Sequence, residues 1–231
     1  MNKVVALIPA RQKSVRVKNK NLKKICKQPL LWWTLTSAKK SKYIDEIYVS
    51  SDSQKILTYS KKQKAKLIKR PKIFSNNLAT KKEVINHALN YLKKKDKFFD
   101  YLIYLQPTSP LRTHIHIDDA LKKIFKKKLP GLISVKKGPD ESLWAIKVKG
   151  NKISNDIGKN KNFKKRSQDL KKIYRPNGAI YIFDLKKMKY MRQFDTSRGF
   201  GIYEMDKISS IDIDDNFDFE FANMILSKKI K

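Results

Sequence analysis

Tyr101-Leu102-Ile103-Tyr104-Leu105, followed at once by Gln106-Pro107-Thr108-Ser109-Pro110-Leu111-Arg112, decides the fold class. The first five positions are apolar without a break, the pattern of a strand buried on both faces. Two prolines then stiffen the turn and hold it extended. Gln106, Thr108 and Ser109 are thereby fixed as donors and acceptors at a sheet edge, beside Arg112. Outward from this stretch, buried strands and helical patterns alternate. Val4–Ile8, Ile47–Ser50, Leu67-Ile68, Leu132–Val135 and Ala179–Phe183 read as strands. Leu30–Ala38, Gln54–Lys62, the stretch from Thr80 to about Lys93, Ile115–Lys127 and Asp215–Ser227 read as helices. Ser51-Asp52-Ser53 is an N-cap cluster, and Thr80 with Glu83 three residues later is a capping box. This rhythm predicts an α/β fold, with a parallel sheet covered on both faces.

The chain has 231 residues, 40% of them apolar and 10% aromatic. That excludes intrinsic disorder and allows roughly 70–75% of the extended surface to be buried. One domain over residues 1–231 is expected. After Pro139 the pattern loosens. Residues 140–173 are rich in Lys and Asn with one strand at Trp144–Val148, and residues 186–206 are irregular. These two segments are candidates for a small subdomain or a dimer arm. No run of ~18 apolar residues is present, so no membrane insertion is expected. The apolar run Val4–Ile8 is shorter than a signal-peptide core. A lone cysteine, Cys26, has no internal partner and fits a reducing cytoplasm. It also lacks a nearby base. His87, His114 and His116 have no acidic or Cys partners at metal-ligand spacing.

Lys and Arg number 54 against 21 Asp and Glu, a formal charge of +33. Only eight of the cations are Arg, and the lysines are scattered along the chain as Lys-Lys steps such as Lys39-Lys40, Lys61-Lys62, Lys93-Lys95 and Lys126-Lys128. No basic tail, zinc-finger spacing or aromatic RNA-binding strand accompanies them, so no specific nucleic-acid partner is expected. Such a field still attracts anionic ligands.

Open α/β sheets bind ligands at the carboxyl ends of their strands. The first strand ends in Pro9-Ala10-Arg11-Gln12-Lys13-Ser14-Val15-Arg16, then Lys20-Asn21. Arginines there can fork two phosphate oxygens and lysines act as point charges, which suits a nucleoside triphosphate. Neither a Walker loop nor a GxGxxG is present. Near the C-terminus, Ser210-Ile211-Asp212-Ile213-Asp214-Asp215 read as an extended strand puts Asp212 and Asp214 on one face. Few hard oxygens suit Mg²⁺ held jointly with substrate phosphates. An EF-hand loop is excluded, because Phe217 replaces its Gly and Asn223 its bidentate Glu. Tyr174-Arg175-Pro176-Asn177-Gly178-Ala179-Ile180-Tyr181 reads as a turn entering a strand, with Arg175 and Asn177 at its mouth. Arg175 there is suited to a bidentate pair with a carboxylate.

These pieces in this order resemble the acylneuraminate cytidylyltransferases, over nearly the whole chain. The resemblance rests on Ala10-Arg11-Gln12-x-Ser14 with Lys20-Asn21-Leu22, on Leu105 to Arg112, on Arg175 to Tyr181, and on Asp212-Ile213-Asp214. It implies a Rossmann-like, mostly parallel sheet of the nucleotide-diphosphosugar-transferase type. It also implies a homodimer joined through the loose segments, and transfer of CMP from CTP to a nonulosonic acid with Mg²⁺ or another divalent cation. By position, Arg11 and Lys20 would hold the triphosphate, with Ala10, Ser14 and Asn21 beside them. Arg70 and the loop through Asn77 and Thr80 would enclose the nucleotide. Gln106, Arg166, Arg175 and Asn177 would address the sugar acid, and Asp212 and Asp214 the metal. Three positions depart from the family's pattern. Asn77 stands for a common Asp, Lys18 for a Pro, and Ser167 for an Arg that neighbouring Arg166 replaces one register off. The alternatives are activation of a legionaminic, pseudaminic or Kdo-like acid and, more remotely, a basic nucleic-acid-binding protein.

Overall fold

β1 (Val4–Pro9) sends alternate side chains to opposite faces of a sheet, and both faces are buried. Val4, Ala6 and Ile8 join one core cluster and Val5 and Leu7 another. That accounts for a run with no polar position. The computed structural model describes residues 2–14, 16–76, 78–139, 148–153, 166–169, 172–188 and 199–230.

After β1 come β2 (Lys24–Ile25), β3 (Gln28–Pro29), α1 (Leu30–Lys40), β4 (Glu46–Ser51), α2 (Gln54–Lys62) and β5 (Lys66–Lys69). There follow α3 (Lys81–Lys93), β6 (Tyr101–Tyr104), α4 (His114–Lys127), β7 (Gly131–Pro139), β8 (Val148–Lys149) and β9 (Lys152–Ile153). The chain closes with β10 (Lys172–Asp184), α5 (Leu185–Met188), β11 (Gly201–Glu204) and α6 (Asn216–Ile230). Seven strands form one sheet in the order β11-β7-β10-β6-β1-β4-β5. β1 is parallel to β4 and β6, β4 to β5, and β7 to β11. Within this sheet only β10 runs against its neighbours, β6 and β7, while β2 with β3 and β8 with β9 form separate antiparallel pairs. The sheet is thus mixed, and mostly parallel as expected.

α1, α2 and α4 cover one face through Leu31, Leu35, Ile56, Ile117, Leu121 and Ile124. α3 covers the other through Val84, Ile85, Ala88 and Leu92. Its capping box is complete: Thr80 N–H donates to Glu83 Oε2 at 2.7 Å, and Glu83 N–H to Thr80 Oγ1 at 3.2 Å. α6 buries Phe219, Ala222 and Leu226 against Val17, Ile25, Leu30 and Ile213, which pins the C-terminal segment beside the loop after β1.

Three expectations are corrected. Ala179–Phe183 is the end of a thirteen-residue strand, not a strand entered from a turn. The Arg175-Pro176-Asn177-Gly178 stretch is a bulge inside it, where the pairing with β7 slips between Pro176 and Tyr181. Residues 201–204, read as irregular, form the sheet's edge strand β11. The Ser51-Asp52-Ser53 cluster does not cap α2 through a side chain. Asp52 instead accepts from Gln12 N–H at 2.9 Å. The expected strand at Trp144–Val148 lies outside the described residues except for Val148, which opens β8.

Candidate active site

The chain leaves β1 at Pro9 and crosses the carboxyl ends of the strands. Ala10 N–H donates to Ser50 O at 2.9 Å, Gln12 N–H to Asp52, and Asn21 Nδ2 to Arg11 O at 2.9 Å. So tied, the loop presents Arg11, Ser14, Arg16 and Lys20 to a cavity of about 440 Å³. Arg11 Nη1 donates to Asn76 O at 3.1 Å, which joins this loop to the segment before α3. Arg70, one residue past β5, enters the same cavity from below. It is 5% exposed and its Nε has no hydrogen-bond partner. Burial lowers the pKa of its guanidinium, partly offset by Tyr104 and Asp52.

Asp212 and Asp214 line the same cavity beside Arg16 and Lys20. They do so from an extended segment that joins no ladder, which corrects the reading of a strand face shared by the two. The segment is held instead by Ile213 N–H donating to Thr108 O at 2.8 Å and by Lys20 Nζ donating to Ile213 O at 2.6 Å. Asp214 is half-exposed and pairs with Arg16 at 2.9 Å. Asp212 is deeper, and its Oδ1 is buried without a hydrogen-bond partner. Burial raises its carboxyl pKa, with Asp214 adding to the rise while Thr108 and Lys20 oppose it. Burial lowers the pKa of Lys20 against the pull of both aspartates. Among the described residues no group of three or more His, Cys, Asp or Glu side chains gathers around a metal position. An orphaned carboxylate oxygen beside a second carboxylate is a donor set that fits Mg²⁺, which takes one or two carboxylates and completes its shell with water and phosphate.

The third wall comes from Gln106, Pro107 and Thr108 beyond β6. Behind it lies Arg112, 1% exposed. Its Nη1 donates to Gln106 O at 3.1 Å and Ala179 O at 2.9 Å, and its Nη2 to Thr34 Oγ1 at 2.7 Å. Gly178 adopts φ +79°, and a Cβ there would stand 2.7 Å from Gln106 Oε1 and 3.2 Å from Asp212 Oδ2. Glycine is required on both counts. Gly178→Ala is therefore expected to cost about 1–2 kcal/mol of stability through the left-handed backbone alone. It should also push the Gln106 amide out of the cavity. Thermal unfolding checks this: a fall in melting temperature is expected.

Not every residue assigned to the site from the sequence lines it. Arg11, Ser14, Lys20, Asn21, Arg70, Thr80, Gln106, Asp212 and Asp214 do. Ala10 is fully buried, and its N–H is committed to Ser50. The placement of Asn177 at the mouth is corrected. It is 5% exposed, its Oδ1 accepts from Ser134 Oγ at 2.5 Å and Ala179 N–H at 3.1 Å, and its Nδ2 donates to Ser210 Oγ at 2.8 Å. It ties the bulge of β10 to the segment before Asp212 from behind. Arg175 lies on β10 opposite Lys136, outside the cavity lining. Arg166 pairs with Asp169 at 3.0 Å on an exposed turn, also outside it. Asn77 lies outside the described residues. Sequence reasoning left out Asn76, Lys81 and Tyr104, which line the cavity. Tyr104 had a legible signal, since it is two residues before Gln106 on the same strand face.

A mostly parallel α/β sheet with a cation-rich loop after its first strand and a carboxylate pair facing it describes a nucleotide-handling protein. The solved structure of CMP:2-keto-3-deoxy-manno-octonic acid synthetase complexed with CTP shares the fold, with a TM-score of 0.73 and 15% identity over 98% of this chain and 99% of that one. The chain belongs to the cytidylyltransferase family, whose model matches residues 5–229. It is 31% identical over 98% of its length to an N-acylneuraminate cytidylyltransferase of Escherichia coli, of which it spans about half, 53%. It is 30% identical over 99% of its length to the CMP-N,N'-diacetyllegionaminic acid synthase of Campylobacter jejuni, of which the match covers 97%. No described helix is long and apolar enough to cross a membrane.

Proposed function

We propose that this chain transfers CMP from CTP to the anomeric hydroxyl of a nonulosonic acid of the sialic type and releases pyrophosphate. The observation that carries the reading is the convergence of Arg11, Arg16, Lys20 and Arg70 with Gln106, Asp212 and Asp214 on one cavity. In the reaction the hydroxyl oxygen bonds to the α-phosphorus while the bond from that phosphorus to the β-phosphate oxygen breaks. Charge and placement, rather than covalent help, carry such a transfer. Arg11 and Lys20 neutralise the triphosphate, and buried Arg70 adds a cation that water screens little. Gln106 holds the sugar over β6 with a rigid amide. Asp212 and Asp214 would hold the divalent cation, which when bound supplies charge neutralisation at the reacting phosphate. A homodimer built through residues 140–173 and 186–206, working in the cytoplasm, completes the proposal.

A pyrophosphate-release screen tests it, with four NTPs against N-acetylneuraminic, N,N'-diacetyllegionaminic, pseudaminic and Kdo acids. CTP should exceed ATP and GTP by at least ~10²-fold, since sites that hydrogen-bond a base edge discriminate strongly. Equal release from ATP and CTP refutes the assignment. A legionaminic, pseudaminic or Kdo-like acid turned over faster than the sialic acid replaces the acceptor and leaves the reaction intact.

A further inference from the structure

We infer that Asp52 is a positioning residue for the triphosphate of CTP: from outside the cavity, its carboxylate fixes the backbone from which Arg11 reaches in. The inference deepens the transferase reading above and rests on it. A parallel ladder takes every second N–H of one strand to its neighbour. Ala10 N–H on Ser50 O at 2.9 Å carries the β1–β4 ladder one residue past β1. Two residues further on, Gln12 N–H takes Asp52 Oδ1 at 2.9 Å. A side-chain oxygen thus stands in for the next backbone rung, and the chain leaves the sheet with its amide still satisfied. Arg11 lies between the two pinned amides. It lines the cavity, whereas Ala10 and Gln12 do not.

The same end of β4 also holds Arg70, whose N–H donates to Ser51 O at 2.8 Å. Ser50, Ser51 and Asp52 in succession therefore tie down both the loop after β1 and the residue after β5. Ser50 and Ser51 act through backbone carbonyls, which no substitution removes. Asp52 acts through its side chain, so its tie can be cut. Its charge has a second effect. Burial lowers the Arg70 pKa, with repulsion from Arg11 adding to the fall, and Asp52 opposes this after Tyr104. Two cations that repel each other are thus held on one cavity by a carboxylate behind them. Arg11 Nη1 on Asn76 O at 3.1 Å restrains the far end of the same side chain. With backbone and guanidinium both held, Arg11 is aimed before CTP arrives, and less ordering is left for binding to supply.

Three variants separate position from charge. Asp52→Asn keeps the acceptor oxygen and loses the charge. Asp52→Glu keeps the charge and moves the oxygens out by one methylene, and Asp52→Ala loses both. Asp52 belongs to none of the core clusters, so all three should fold and melt close to the wild type. CTP binding is read by calorimetry with Mg²⁺ and no acid, which needs no turnover, and pyrophosphate release is followed with the four acids of the screen. In Asp52→Ala and Asp52→Glu the CTP Kd and KM should rise at least ~10-fold with the acid KM within about twofold, while Asp52→Asn stays within about threefold of the wild type. Arg11→Met should raise the CTP Kd as well. Adding Asp52→Ala to it should cost little more, because residues that act through one group are not additive. An unchanged CTP Kd in Asp52→Ala overturns the inference, as does a loss in Asp52→Asn equal to that in Asp52→Ala, or full additivity with Arg11→Met. CTP binding that follows the expected pattern without pyrophosphate release defeats the transferase reading and leaves the positioning role standing. A wild type that binds no CTP defeats both.

Discussion

Asp212→Asn is expected to lower turnover by at least ~10²-fold, because a lost hold on transition-state charge costs several kcal/mol. Asp214→Asn should lose less. Its carboxylate is half-exposed and already engaged by Arg16, whereas Asp212 Oδ1 is buried with nothing to bind. Stability should move the other way. Burial raises the Asp212 carboxyl pKa, and repulsion from Asp214 adds to the rise. A carboxyl with a raised pKa binds more protons folded than unfolded. It therefore lowers stability as pH climbs through the interval above the ordinary carboxylate range. Asp212→Asn should thus match the wild type at pH 3 and melt higher at pH 7 without divalent cation. With CTP present, added Mg²⁺ should raise the melting temperature of the wild type and not of the variant. Near-normal turnover at limiting Mg²⁺, or an unchanged Mg²⁺ response, overturns the assignment.

The same opposition of stability and activity explains which parts of the site were legible in the sequence. Readable positions were those where residue type and strand period agree. The unbroken apolar runs of β1 and β6 announced central strands, and the polar groups after each had to fall at the carboxyl edge. The direction of β10 was not readable by that route. Its signal lay in what precedes it: residues 140–173 carry no helical pattern, and strands joined without a crossover helix pair antiparallel. β11 was hidden because a four-residue edge strand of alternating burial carries too little pattern.

Side-chain roles were legible only where local chemistry fixes them. The Thr80–Glu83 box acts within four residues, and it was readable in full. Asp52 and Asn177 act over long separations, with partners at Gln12 and Ser210. Asn177 had the residue type and place of a ligand-binding group. Four neighbours nevertheless engage its amide, counting a weak contact with Met205 Sδ at 3.4 Å. Burial distinguished it from Gln106, and burial at a bulge is set by tertiary packing. Lys81 was equally illegible, since its partner Tyr181 lies a hundred residues away.

Arg112 carries the largest expected effect on stability. A guanidinium at 1% exposure with no carboxylate partner among its hydrogen bonds is costly to bury, and its burial lowers its pKa to about 9. It remains charged at neutral pH, and the carbonyls of Gln106 and Ala179 are what offset that cost. Two effects compete in Arg112→Met. Removing a desolvated charge favours the variant, as replacement of whole buried ionic groups by apolar ones often does. Taking the Arg112 donors from the core disfavours it, at about 1–3 kcal/mol for an orphaned group: Ala179 O loses its 2.9 Å bond, and Gln106 O keeps only long contacts of 3.4 Å from Ser109 N–H and the Thr34 hydroxyl. The second effect should win, because the apolar side chain removes the donors and leaves the acceptors in place. A net loss of about 2–4 kcal/mol, or ~10 °C in melting temperature, is expected. Arg112→Lys should fare little better, since one ammonium does not reproduce a planar fork that spans two strands' ends. Because those carbonyls belong to the loop that bears Gln106 and the bulge that bears Gly178, whatever folded protein remains should show a raised acid KM with CTP affinity retained. A melting temperature in Arg112→Met equal to the wild type would mean that the two carbonyls find other donors and that the Gln106 loop is held from elsewhere.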